Sequence, residues 1–532
     1  MAKYANLKKA ITDAIKTNGT QAITGQILQT KLLEMVGSLG AGYQFGGVIT
    51  PDSSFDPATF GDTNVVFLAS VGGSYPTFGG FTLESGQVAL FLYNGVWKKE
   101  IITYYANTQV YGIRHYFTKG SPNLTRIGDA DLHRTLPVQS LMRRCVVDDL
   151  GVVKYYLKAD DSTKKEDGTA AKLDGTDGMV MVEIPAHYRK CSLNTAQSYM
   201  DVEISLFPFT GAVPRPRRLV SAYEATIDRS GDTLKLASVK STADTFRGGN
   251  NNADWDGTYR DLRGLPATNV SLTDFRTYGR NRGTGWGCYD YNAHLDIYWL
   301  FCIEYATLES QKSFFETLTD EGYHKGGLGS GVTNIGTSWN TYNSYYPFIP
   351  CGVTNRLGNA TGVVVWEMSK AQAEAYGSDF VTFVPSYRGL ENPFGHIYKF
   401  ADGFLGVGNN GVYQEIYVCR DASKYASEVT ADYVHTGHQA ELNGYCKDIV
   451  ASDPSLDEAI RVYGDIFDRD NSGSESTYFC DFHFHATNSS RVFSLRVGGV
   501  ANSGSVAGLA CFRASDTPLR GDAYVGSRLC WC

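Results

Sequence analysis

The sequence lacks the features that mark several common classes of protein. Its 532 residues carry a formal net charge of −8 and contain no cluster of five or more lysines and arginines, so a nucleic-acid partner is not expected. No apolar run is long enough for a membrane span. The N-terminus, Met-Ala-Lys-Tyr-Ala-Asn-Leu-Lys-Lys, is not followed by the apolar stretch of a secretory signal. We therefore expect neither nucleic-acid binding nor membrane insertion.

Cysteine is odd in number and scattered. The 11 cysteines lie between Cys145 and Cys532 without any Cys-x-x-Cys pair. This pattern argues against a disulfide framework and favours a protein made in a reducing cytoplasm. If such a protein works outside the cell, it must leave within a particle or by lysis.

Short catalytic motifs are missing as well. The sequence has no Gly-x-Ser-x-Gly elbow and no His-Glu-x-x-His pair. The glycine-rich run 327–331 follows no strand pattern and opens no helix pattern, so it is predicted to be a loop and not a dinucleotide site. These absences predict a protein that is not an enzyme and needs no cofactor.

One alternating run has the residue types of a metal site. In 481–485, alternation places Asp481, His483 and His485 on one face of a strand and turns Phe482 and Phe484 toward the core. Imidazole and carboxylate groups bind metals, but no distant ligand can be paired with this run. The expectation is therefore a polar, solvated strand face with no metal.

A second run, 468–473, resembles the opening of a calcium-binding loop. Its twelfth position is Phe479, where such a loop requires a glutamate. The run is predicted to be a polar turn, and a structural cation remains an unassigned alternative.

Hydrophobic periodicity divides the chain into four parts. Residues 1–42 are predicted to be helical, with a narrow apolar seam at Leu28, Leu32, Val36 and Leu39. This seam either packs on its own domain or serves attachment and oligomerisation. Residues 43–105 are predicted to form a small β module with a hairpin at Asn94-Gly95, and 106–135 a transition or linker.

Residues 136–532 have the pattern of one large α+β domain, in which short strands alternate with long polar loops. Strands are expected at 152–157 and 179–184, and helices at 292–317 and 367–377. Ser369 is the expected N-cap of the second helix.

The C-terminal segment, about 490–530, mixes residue types without a helix or strand period. Orderly glycine, alanine and leucine positions separate the mixed ones, which are the predicted ligand-binding residues: Val500, Asn502, Ser503, Val506, Cys511, Arg513, Ser515, Asp516, Leu519, Arg520, Asp522 and Tyr524.

The composition of this segment has an order of its own. From Ser476 to Cys530 there is no Lys, Glu, Gln, Met or Trp. When both adenines of an Asn codon are randomised, those five amino acids are the only ones that cannot be reached. Adenine-directed diversification accounts for this better than chance absence from a loop rich in Gly, Ser and Ala.

Several stretches resemble the variable proteins of diversity-generating retroelements, which have a C-type-lectin fold of the formylglycine-generating-enzyme type. The matching stretches are 174–185, 282–286, 303–305, 389–400 and the segment from Gly498-Gly499 to Gly526-Ser527-Arg528-Leu529-Cys530. The resemblance implies such a domain over 136–532. The first hundred residues are similar to tail proteins of phages that infect gut Bacteroidetes.

The resemblance implies an adhesin at the tip of a virion tail fibre, synthesised in the host bacterial cytoplasm. Its expected partners are a bacterial surface receptor, glycan or protein, and other tail proteins bound through the N-terminus. Homo-oligomerisation is implied, with a trimer expected.

One departure from the family bears on activity. The oxidase branch of this fold uses two cysteines shortly after the Gly-Gly pair, and their counterparts here are Ser503 and Gly508. Cys511 is solitary, so a two-thiolate copper site is not expected. A formylglycine-generating-type oxidase and a purely structural fibre subunit are the alternatives.

Overall fold

The computed structural model describes residues 43–532 except 57–58, 60–63, 70, 72, 84–87, 103–108, 249–251, 336–337, 410–412, 440–442 and 486–489. The helical segment predicted over 1–42 lies outside the described residues. The chain divides into two compact units, one comprising residues up to 110 with 186–188 and 205–210, and the other the remainder from 111 to 532.

The smaller unit contains the predicted β module. Its strands are β1 (Tyr43–Ile49), β2 (Asn64–Ala69), β3 (Gly73–Tyr75), β4 (Phe81–Leu83), β5 (Val88–Tyr93) and β6 (Trp97–Ile102). Strands β1-β2-β5-β6 form one sheet, and β3 pairs with β4. The predicted Asn-Gly hairpin joins β5 to β6, and Gly95 takes the positive φ of +90° that its turn requires.

The first half of the larger unit is mostly short strands. They are β7 (Tyr111–Tyr116), β8 (Thr125–Gly128), β9 (Arg143–Val147), β10 (Val153–Lys158), β11 (Asp161–Lys165), β12 (Met179–Ile184), β13 (His187–Asn194), β14 (Tyr199–Ser205), β15 (Val213–Arg215), β16 (Arg218–Ser221), β17 (Thr226–Asp228), β18 (Lys235–Ala237) and β19 (Phe246–Arg247).

The second half begins with β20 and runs to the C-terminus. Its strands are β20 (Trp286–Cys288), β21 (Gly362–Glu367), β22 (Val381–Tyr387), β23 (Leu390–Glu391), β24 (Tyr398–Asn409), β25 (Tyr413–Val418), β26 (Val434–Gln439), β27 (Gly444–Tyr445), β28 (Asp448–Ile449), β29 (Asp468–Asp470), β30 (Phe482–His485), β31 (Val492–Gly498), β32 (Gly508–Asp516), β33 (Val525–Gly526) and β34 (Leu529–Trp531).

The described α-helices are few and short. They are α1 (Ala130–Thr135), α2 (Leu272–Arg280), α3 (Tyr291–Tyr305), α4 (Trp339–Asn343), α5 (Lys370–Tyr376) and α6 (Glu458–Arg461). The architecture is therefore mostly β with few helices. Among the described residues, no helix combines the length and the apolar character needed to cross a bilayer.

Helix α3 is the central helix of the larger unit, and all of its residues are buried. Its apolar residues are spread around the whole helix, as expected of a helix enclosed by a core. Its polar residues Asn292, His294, Asp296 and Glu304 are buried with them. The Asp290 side chain accepts a hydrogen bond from the Ala293 N–H at its start. The helix ends at Tyr305 and not at the predicted residue 317, because Ala306 adopts the left-handed conformation (φ +51°).

Helix α5 has the predicted cap. Ser369 and Gln372 form a reciprocal capping box, and Gly377 ends the helix in the left-handed conformation. The strand predicted at 179–184 is also confirmed, as β12.

The larger unit starts at Tyr111 and not at the predicted residue 136. Strand β7 pairs with β14, some ninety positions later in the chain, and β8 pairs with β7. Residues 111–128 therefore contain two sheet strands of this unit, where a transition or linker was predicted.

Two large sheets position the C-terminal segment. A seven-stranded sheet has the order β11-β10-β9-β12-β16-β34-β20. A second sheet has the order β26-β25-β24-β31-β32-β30-β27, with β33 paired to β24. Residues 492–532 thus contribute β31, β32 and β33 to one sheet and β34 to the other.

Candidate ligand-binding site

The orderly positions of the C-terminal segment anchor it in the scaffold. The Arg528 guanidinium is buried and donates hydrogen bonds to the main-chain oxygens of Ser221, Glu391 and Asn392. Leu529 is fully buried. Arg528 and Leu529 therefore anchor the end of the segment in the core.

The turn after β31 begins with Gly498 and Gly499, both at positive φ. A Cβ on Gly499 would lie 2.7 Å from the Cβ of Ala507, so the turn leaves no room for a side chain there. The Ala501 N–H donates to the main-chain oxygen of His396 at 3.0 Å and holds the loop against the segment 389–400.

Six of the twelve predicted residues share one recess. The recess has a volume of about 450 Å³ and is lined by Trp339, Tyr345, Tyr398, Phe484, Val500, Asn502, Ser503, Val506, Arg513 and Tyr524. The loop 500–506, strand β32 and the residue before β33 supply the six predicted members. Each of these six residues is half-buried, so it is partly open to solvent and partly packed against the protein.

Aromatic rings form one side of the recess. The Tyr345 and Tyr524 rings meet edge to face at 6.0 Å between centroids, and Trp339 meets Tyr345 at 5.4 Å. Tyr345 has a φ of +65°, a conformation uncommon for a bulky residue. The Asn343 side-chain amide stabilises this turn by donating to the oxygens of Tyr346 and Pro347.

The recess lining also contains polar groups. The Arg513 Nε donates to the Ser515 hydroxyl at 2.9 Å, and the guanidinium lies 5.7 Å from the centroid of the Phe484 ring. The Ser503 hydroxyl accepts a hydrogen bond from the Val500 N–H at 2.9 Å. Ser503 therefore lines the recess and also stabilises its own loop.

Asp516 and Asp522 have a structural role that the sequence did not reveal. Both carboxylates accept hydrogen bonds from Arg496 Nη1, at 2.8 and 2.9 Å, and the Arg496 side chain is fully buried. Arg520 joins this network through Asp516 at 2.8 Å and Asp522 at 3.2 Å. The two carboxylates raise the pKa of Arg520, whereas burial lowers the pKa of Arg496.

Two further predicted residues do not reach the recess. Cys511 is fully buried in an apolar cluster that includes Tyr398 and Val525, and burial raises the pKa of its thiol. The prediction that Cys511 lies on the surface is therefore wrong. Cys511 and Arg513 lie on the same face of β32, but that face is covered by the core at Cys511 and is partly open at Arg513. Leu519 is 73 % exposed and lies outside the recess lining.

A buried ion-pair network joins Glu224 to the segment 389–400, which precedes β24 and includes its first residues. Glu224 contacts His396 Nδ1 at 2.6 Å and Lys399 Nζ at 2.9 Å. Burial opposes ionisation of Glu224, yet Lys399 and His396 lower its pKa to about 2. Because the His396 oxygen also binds the Ala501 N–H, this network supports the loop that carries Val500 and Asn502.

The histidine run takes the opposite orientation to the predicted one. His483 and His485 are buried, whereas Phe482 and Phe484 are half-buried. The expectation of a solvated histidine face is wrong because Asp468, the first residue of the predicted polar turn, is itself buried and contacts both imidazoles.

Four lining residues were not predicted: Trp339, Tyr345, Tyr398 and Phe484. Tyr398 belongs to a stretch that carries the family resemblance, and Phe484 to the alternating histidine run. Trp339 and Tyr345 come from a loop-rich region that ends well over a hundred positions before the C-terminal segment. A sequence signal for these two would be aromatic residues in a polar loop, a signal that recurs in many places in this chain.

No protein-family model matches the chain, and no curated protein matches it. Among solved structures, a Major Tropism Determinant, the U1 variant, aligns over 84 % of this chain and 81 % of its own, with 9 % identity and a TM-score of 0.23. A likeness at this TM-score carries no conclusion about the fold or the function of this protein.

Proposed function

We propose that this protein is a receptor-binding protein of a phage tail fibre, and that the recess beside Arg513 and Tyr524 binds a bacterial surface ligand. The observation that carries the proposal is the meeting of six mixed positions, separated by up to 24 positions of chain, in one recess. The orderly positions between them are buried anchors and turns. This division suits a surface whose side chains change while its scaffold stays folded.

The recess has the chemistry of a small binding hot spot. Tyr345 and Tyr524 offer ring faces and edges, while Arg513 and Asn502 offer hydrogen-bond donors. Aromatic and arginine side chains dominate the energetics of protein interfaces. Rings beside amide and guanidinium groups also suit a sugar, whose faces are apolar and whose edge carries hydroxyls. A glycan and a protein epitope both fit this chemistry.

The finer parts of the proposal rest on the sequence resemblance. We propose a C-type-lectin-like fold for the larger unit, attachment to the virion through residues 1–42, and a homotrimer. A trimer would present three recesses, so avidity would compensate for a modest affinity at each one.

We also propose that the protein has no oxidase activity. The counterparts of the two catalytic cysteines are Ser503 and Gly508, and a Cβ on Gly508 would overlap the Asp481 carboxylate. The buried Cys511 thiol, with its raised pKa, is a poor metal ligand and a poor nucleophile.

Binding to cells tests the proposal. The labelled full-length chain is applied to a panel of gut Bacteroidetes strains and measured by flow cytometry. Arg513→Ala should weaken binding to a positive strain by about 5- to 150-fold, the loss typical of a hot-spot residue. Leu519→Ala is the matched control, since Leu519 is a mixed position outside the recess lining. Periodate treatment of the cells would abolish binding to a glycan, and protease treatment binding to a protein.

The alternatives give different results. A purely structural subunit would bind no strain, and an oxidase would convert a cysteine-containing peptide in air. Equal binding by Arg513→Ala and the wild type would show that the recess is not the receptor site.

A further inference from the structure

Three side chains from separate parts of the chain meet in the interior of the larger unit. Asp468 begins β29, and His483 and His485 lie on β30. Asp468 Oδ1 lies 2.7 Å from His483 Nδ1, and Asp468 Oδ2 lies 3.0 Å from His485 Nε2. The three side chains are buried, and their ligand atoms all lie within 4.8 Å of one another.

We propose that Asp468, His483 and His485 form a structural binding site for a divalent transition-metal ion of the Zn²⁺ class. Two imidazole nitrogens and one carboxylate oxygen are ligands that Zn²⁺ accepts, and a water molecule would complete four-coordination. The oxygen-preferring ions Ca²⁺ and Mg²⁺ fit two imidazoles poorly. Zinc–ligand distances of about 2.1 Å require the nitrogen–oxygen separations to widen by roughly half an ångström.

The charges in the cluster favour a cation. Asp468 is completely buried, and among the described residues its ion pairs are with the two histidines, without any lysine or arginine. A buried carboxylate without a permanent positive partner is costly, and a divalent ion would neutralise it.

The histidine tautomers are compatible with metal binding. His483 Nε2 and His485 Nδ1 are buried and have no hydrogen-bond partner among the residues that the structure describes. Each ring can therefore carry its proton on this outer nitrogen and turn the lone pair of the other nitrogen toward the ion. His483 also stacks on Phe512 at 4.9 Å between centroids, which fixes the plane of its ring.

The ion would connect β29 to β30, a strand of the sheet that carries the recess. Phe484 lies between the two histidines on β30 and lines the recess, and β30 pairs in parallel with β32 at His483–Phe512 and Phe484–Arg513. An ion at the histidines would therefore stabilise the strand that positions Phe484. This inference does not depend on receptor binding.

Metal titration of the full-length protein tests the site. The untagged chain is stripped with dipicolinate and titrated with Co²⁺, whose visible absorption reports on nitrogen and oxygen coordination, followed by displacement with Zn²⁺. We expect one equivalent per chain, displaced by Zn²⁺, and a higher unfolding temperature with Zn²⁺ than without it.

His485→Gln should weaken Co²⁺ binding at least about tenfold. The matched control His438→Gln removes an exposed histidine from the same sheet and should bind as the wild type does. Circular dichroism of each variant verifies folding. The proposal is overturned if the folded wild type gives no Co²⁺ spectrum at one equivalent, or if a folded His485→Gln binds as tightly as His438→Gln.

Discussion

Truncation of Asp516 separates a scaffold role from a ligand-contact role. Its carboxylate lies on the variable segment, yet its side chain is only 7 % exposed and binds the fully buried Arg496. Removing one partner of a buried ion pair costs about 3–5 kcal/mol when the other charge is left alone. Asp522 still contacts the same Arg496 nitrogen at 2.9 Å, so we expect Asp516→Ala to cost less, about 2 kcal/mol.

Guanidinium unfolding followed by tryptophan fluorescence measures this loss. The transition of Asp516→Ala should move to lower denaturant at an unchanged slope, while binding to cells under native conditions persists. The double variant Asp516→Ala/Asp522→Ala should lose about 3–5 kcal/mol of unfolding free energy, because it leaves the Arg496 charge unpaired. Leu519→Ala, at an exposed position, should stay within about 0.5 kcal/mol of the wild type. An Asp516→Ala protein of wild-type stability that no longer bound cells would refute the scaffold role.

Two further perturbations test the support of the recess. Gly499→Ala should destabilise the fold by about 1–3 kcal/mol, because φ is +73° there and Ala507 occupies the space that the new methyl group needs. In the control Gly504→Ala the methyl group meets no neighbouring atom, so the loss of stability should be smaller. Thermal unfolding of both variants measures the difference. Glu224 has a pKa lowered from 4.5 to about 2, so it contributes stability that is present above pH 4.5 and is lost as the pH falls toward 2. Glu224→Gln should be less stable at pH 7 and should lose less stability on acidification; an identical acid profile for the two proteins would contradict this. The Arg513 and His485 variants described above complete the set.

Local structure could be predicted from the sequence. The Asn94-Gly95 hairpin, the Ser369 cap and the strand 179–184 were predicted because each depends on residues that are neighbours in the chain. The helix beginning at 291 was also expected, but its end was placed twelve residues late. An apolar run shows that a helix is buried and does not show where the backbone turns away.

The candidate site was predictable in part. The absence of five residue types and the mixed pattern predicted a variable segment at about 490–530, and half of the predicted positions line one recess. The other half includes Cys511, which is in the core, and Asp516 and Asp522, which bind a buried arginine. Variability of residue type does not distinguish a side chain that faces a ligand from one that faces the scaffold.

By itself the sequence determined the local elements and the segment in which variation is concentrated, since both follow from the order of residues along the chain. Only the tertiary structure decided which side chains share an environment. Trp339 and Tyr345 line the recess, and Asp468 contacts two histidines. The larger unit begins at Tyr111, the first residue of β7. Each of these depends on contacts between segments far apart in the chain, and burial of a charged or polar group becomes favourable only when such a partner arrives.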